Sequence, residues 1–111
     1  MEIKTKNEGS VCVLELVGDL MGGIELELFR KTIDEAIKGE RVNVVVDLAA
    51  VSWMNSSGLG MLISGMTSLR SSGGDMRLAN VSERMRRSLQ ITKLDTVIQQ
   101  FATVGDAVKS F

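Results

Sequence analysis

The stretch Val51-Ser52-Trp53-Met54-Asn55-Ser56-Ser57-Gly58-Leu59-Gly60 gathers adjacent serines, an asparagine and two glycines between a valine-rich run and a helical pattern. At a helix start the first backbone N–H groups lack intrahelical partners and carry the positive end of the helix dipole. A serine there serves in one of two ways: its hydroxyl caps the helix, or it accepts a phosphoryl group whose negative charge the helix end stabilises. Ser56 and Ser57 stand where both uses are open, and Gly58 and Gly60 allow close packing.

Other chemistries find little support. The chain has no histidine, which removes the Ser-His-Asp arrangement, His-based general catalysis and most zinc or iron sites. A serine nucleophile at this junction would need a base such as Lys31 or Lys93, and no spacing points to that dyad. Neither GxxxxGK nor GxGxxG occurs here, so a nucleotide phosphate cradle is not expected. The expectation is therefore a binding protein without catalytic residues, cofactor or metal. Asp19, Asp47 and Asp75 read as solvated turn residues at strand ends, and Arg70, Arg77, Arg84, Arg86 and Arg87 as solvated helix and strand faces.

A second polar turn, Gly18-Asp19-Leu20-Met21-Gly22-Gly23-Ile24, precedes the first helical pattern. In an α/β sheet this turn can come close to the Ser56 junction. Met21, Met54 and Met61 would then either form an adaptable apolar rim for a protein partner or belong in part to the core.

The elements that position these turns follow from periodicity. Residues 11–17 form an apolar, valine-rich strand, paired with a short strand over 2–6 through Asn7-Glu8-Gly9. Leu26, Phe29, Ile33, Ala36 and Ile37 recur at helical spacing over 25–38. The run 42–48, with Val44, Val45 and Val46 consecutive, predicts a central strand covered on both faces. A helix capped by Ser56 or Ser57 follows, with Leu59, Leu62, Ile63, Met66 and Leu69 on its apolar positions. Beyond Gly73-Gly74 come a strand over 75–79, a short helix capped by Ser82, a strand candidate over 97–101 and a closing helix. Strand and helix alternate without repeats or linkers, so the class is α/β in one domain, 1–111.

Composition is that of a soluble globular protein, 44% apolar and 24% charged. Thirteen basic residues against fourteen acidic ones leave a charge of −1, which gives no global attraction to nucleic acid or to an anionic membrane. The opening residues lack the apolar segment of a signal peptide, and no run approaches the ~18 apolar residues of a membrane span, so a cytoplasmic protein is expected. Cys12 lies in an apolar strand and reads as a buried, inert thiol in a reducing compartment.

Four stretches carry a resemblance: Gly18-Asp19-Leu20; Val44-Val45-Val46-Asp47-Leu48 running on to Gly60; Gly73-Gly74-Asp75-Met76-Arg77-Leu78-Ala79-Asn80-Val81; and Ile91-Thr92-Lys93-Leu94. Over nearly its whole length the chain resembles the STAS-domain family, specifically the bacterial anti-sigma-factor antagonists. That resemblance implies a mixed β-sheet of four to five strands with about four helices packed largely on one face. It also implies partner switching: a transcription regulator that is not an enzyme binds an anti-sigma factor with serine kinase activity while unphosphorylated. Phosphorylation at Ser56 switches it off, and a metal-dependent serine phosphatase restores it. The partner-binding residues carried over are Met21, Gly22, Met54, Asn55, Ser57, Gly58, Leu59 and Met61, with Gly58 permitting close partner approach and a monomer or weak dimer expected. Two departures stand out, because Asn55 and Met21 occupy positions where the family commonly has acidic residues. The alternative is a non-phosphorylated STAS scaffold or regulatory subunit of a signalling or transport complex.

Overall fold

The computed structural model describes residues 1–21 and 23–111. Five strands and four α-helices follow one another as β1 (Glu2–Glu8), β2 (Val11–Val17), α1 (Ile24–Lys38), β3 (Asn43–Ala50), α2 (Ser56–Ser71), β4 (Asp75–Ala79), α3 (Glu83–Ile91), β5 (Gln99–Phe101) and α4 (Val104–Lys109). The sheet order is β1-β2-β3-β4-β5; β1 runs antiparallel to β2 and every other pair is parallel. This is the mixed-sheet α/β domain that the alternation of patterns predicts.

Burial explains the order. Val44, Val45 and Val46 of β3 are wholly buried, because helices cover both faces of the sheet at its centre. On one face Leu14, Leu16, Val46 and Leu78 pack against Phe29 and Ile33 of α1, Leu62 and Leu69 of α2 and Leu89 of α3. On the other face Val11, Val13, Val45 and Ala79 meet Ala107 of α4. Three helices thus share the larger core, and the short α4 closes the opposite side.

Three local expectations need correction. The β1–β2 hairpin turns later, at Gly9-Ser10, so β1 extends to Glu8 and pairs it with Val11; Gly9 sits at φ +63°, which a glycine adopts without strain. The last strand shrinks to Gln99–Phe101, because a 3-10 turn over Leu94–Thr96 takes the N–H of Val97 while the Ile98 side chain turns into the core. Only Arg77, Leu78 and Ala79 then remain to pair with it.

Arg77 is the third correction, since it is half-buried under α4 and not on a solvated face. Its guanidinium lies 4.1 Å from the Phe111 ring centroid and its Nη1 donates to Ser110 Oγ at 2.6 Å. Asp75 is likewise engaged, accepting from Arg70 Nε at 2.8 Å, and Asp47 accepts from Asn80 Nδ2 at 2.9 Å. Because β2 and β3 run parallel, the two polar turns that follow them lie at the same end of the sheet.

Cys12 is buried, and burial pushes its thiol above the ordinary range, an effect that nearby Arg41 only partly opposes. In the native protein at mildly alkaline pH, Cys12 should resist a thiol reagent such as DTNB and react only as the chain unfolds in guanidinium. Rapid stoichiometric labelling of the folded protein would contradict this packing.

Candidate functional site

The parallel pairing of β2 with β3 does not end where the strands end. After a register shift between Glu15 and Val17, Gly18 N–H donates to Ala50 O at 3.1 Å, and a single parallel bridge joins Leu20 to Met54. Leu20 N–H donates to Trp53 O at 2.9 Å and Asn55 N–H donates back to Leu20 O at 3.0 Å. Ser52 Oγ adds a link to Asp19 Oδ1 at 2.7 Å. The turn after β2 is thereby stitched to the segment before α2, and Met21 comes beside the Ser56 junction.

Asn55 ties these parts together. Its Oδ1 accepts from Gly58 N–H at 2.8 Å, and its Nδ2 donates to Met21 O at 3.1 Å. The N-cap of α2 is therefore Asn55, not Ser56 or Ser57. The physical reason is register: Asn55 has extended backbone, φ −94° and ψ −177°, whereas the serines already lie inside the first turn. Both serine side chains are exposed.

Gly58 has a different role from the one expected. A Cβ there would overlap the carbonyl oxygen of Leu20 and stand 2.7 Å from its carbonyl carbon, so the space it leaves is filled by this chain's own backbone and not by a partner. The apolar candidates divide similarly. Met61 is 1% exposed, Met54 7% and Leu59 8%, so all three belong to the buried core and only small edges of Met54 and Leu59 reach the surface. Met21 stands out at 45% exposure. Gly22, the remaining candidate, lies outside the described residues.

A groove of about 400 Å³ opens beside the junction, between the start of α2 and α3. Trp53, Met54, Asn55, Ser56 and Leu59 line one side, and Ser88, Ile91 and Thr92 the other. The Arg84 guanidinium stands 5.8 Å from the Trp53 ring centroid. Sequence reasoning missed Ser88, Ile91 and Thr92 as part of this surface. The helical spacing of 84, 88 and 91 places them on one stripe of α3, but no pattern in the chain says which element that stripe faces.

The family model described as STAS domain matches residues 2–107. The chain belongs to the STAS-domain family. This STAS domain is 30% identical over 83 residues, 74% of each chain, to a Thermotoga neapolitana protein named as a candidate anti-sigma factor antagonist. Its fold superposes on the crystal structure of a candidate anti-sigma factor antagonist from Thermotoga maritima with a TM-score of 0.87, at 27% identity over 97% of this chain and 92% of that one. The Bacillus cell fate determinant SpoIIAA in its phosphorylated form matches with a TM-score of 0.75 at 25% identity, covering 98% of both chains. Among the described residues of this STAS domain, no helix is long and apolar enough to cross a membrane.

Two substitutions test the junction. Gly58→Ala should destabilise the STAS domain by about 2–3 kcal/mol in urea unfolding, because backbone must move to admit the methyl group; wild-type stability would mean the two turns are not in contact. Asn55→Asp should keep the cap, which needs only an acceptor, yet lose the bond to Met21 O, which needs a donor. Its thermal midpoint should stay near wild type while the amides of Leu20 and Met21 exchange faster, whereas Asn55→Ala should also lose about 1 kcal/mol of capping energy.

Proposed function

We propose that this STAS domain is an anti-sigma-factor antagonist that works by partner switching. Unphosphorylated, it binds an anti-sigma factor that is also a serine kinase and so releases a sigma factor. Phosphorylation at Ser56 ends that binding, and a metal-dependent serine phosphatase restores it. The chain is in this reading a cytoplasmic bacterial regulator and a substrate of enzymes, not a catalyst.

The observation that carries the proposal is the division of labour at the start of α2. Asn55 supplies the cap, so the Ser56 hydroxyl is not needed to hold the helix and stands exposed at its positive end. A phosphoryl group added there brings about −1.5 to −2 charge to a surface while the buried Leu59 and Met61 stay in place. The switch then acts on the partner by charge and requires no refolding of the domain. The anti-sigma-factor names of the relatives, and the phosphorylated form of a structural neighbour, support the same reading.

Intact-mass measurement tests it: the protein, Ser56→Ala and Ser57→Ala are incubated with ATP and kinases from the host lysate. One added phosphate that Ser56→Ala abolishes and Ser57→Ala retains is the expected result. No added phosphate under conditions that phosphorylate a control antagonist would favour the non-phosphorylated scaffold, to which the amide of Asn55 in place of an acid already lends weight.

A further inference from the structure

We infer that the groove between the start of α2 and α3 docks an acidic, leucine-bearing segment of a partner protein, held by an apolar floor and a cationic rim. The inference deepens the antagonist reading by giving the partner a chemistry; only its link to the phosphate switch rests on that reading. Trp53, with the small exposed edges of Met54 and Leu59, supplies apolar surface on one wall and Ile91 on the other, and no carboxylate is among the residues lining the groove. Ile91 is 75% exposed, well beyond Met21 at 45%. A lone exposed isoleucine is ordinary, but one that continues a tryptophan-lined groove has the anatomy of an interface centre.

Charge selects the occupant. Between Ser82 and Lys93, four basic residues stand against Glu83 alone, a local excess of +3 on a chain whose total is −1. Arg84 stands at the Trp53 edge of the groove, and Arg87 lies on the same helical stripe as Arg84 and Ile91. Among the described residues no carboxylate forms an ion pair with Arg84 or Arg87, while Arg70 and Arg77 are both paired with Asp75. A second copy is a poor occupant, because a two-fold contact through this stripe would set arginine against arginine. A segment that places leucine in the groove and carboxylates on the rim answers both features. Ser56 lines the same groove, so a phosphate on it would offset the cationic rim and repel those carboxylates.

Trp53 is the sole tryptophan and reports the groove directly. The full chain is titrated with an acetylated, amidated peptide of two leucines flanked by glutamates and with its lysine counterpart. Trp53 emission and backbone amide NMR shifts are followed at low and at physiological salt. The acidic peptide should bind saturably, perturb amides at 53–59 and 84–92, and weaken with salt, while the lysine peptide should not bind. The double variant Arg84→Glu, Arg87→Glu, shown to be folded by circular dichroism, should bind the acidic peptide at least about tenfold more weakly. No saturable change up to about 1 mM acidic peptide, equal binding of the lysine peptide, or undiminished binding by the variant would each overturn the inference. Failure of Ser56 phosphorylation would remove the switch and leave these binding results unaffected.

Discussion

The approach of the Leu20 carbonyl to the backbone of Gly58 is the constraint on which the functional end of this STAS domain depends. Leu20 leaves β2 and Gly58 lies in the first turn of α2, so their contact fixes how the two polar turns meet. No side chain fits between them. The hydrogen bonds from Leu20 to Trp53 and from Asn55 to Leu20 then follow as an extension of the β2–β3 ladder past its regular end. Because a buried backbone group must find a partner, this extension also satisfies polar atoms that the end of the strand would otherwise leave unpaired.

Asn55 converts that contact into a directed site. An amide can donate to one side and accept from the other, and here it does both, to Met21 O and from Gly58 N–H. A carboxylate would cap the helix equally well and add favourable charge at its start, but it has no proton to give Met21. An amide here therefore forgoes the negative charge of a carboxylate and gains a tether on the turn that carries Met21. The amide at position 55 thereby gives the exposed Met21 a defined place.

Packing separates what can meet a partner from what cannot. Met61 faces the core, and Met54 and Leu59 show only a small edge, so the outer surface is left to Met21, Trp53, Ser56, Ser57 and Ile91. These come from three different segments, held by a sheet whose central strand is buried on both faces. Cores of this kind resist deformation, which keeps the geometry around Ser56 fixed.

Much of this was legible in the residues alone. The valines of β3, the alternation of strand and helix and the helical spacing of Phe29 and Ile33 determined the class and the larger core, because periodicity reports which face of an element is buried. The place of the Ser56 junction, a turn between a strand and a helix, was also readable, since clustered serines and glycines interrupt the apolar patterns on either side. Only the tertiary structure decided that Asn55 and not a serine caps α2, that Gly58 makes room for Leu20, and that Arg77 is folded under Phe111. It alone brought Ile91 to Trp53. Each of these depends on contacts between segments far apart in the chain, and a local pattern gives the face of an element without naming what that face will touch.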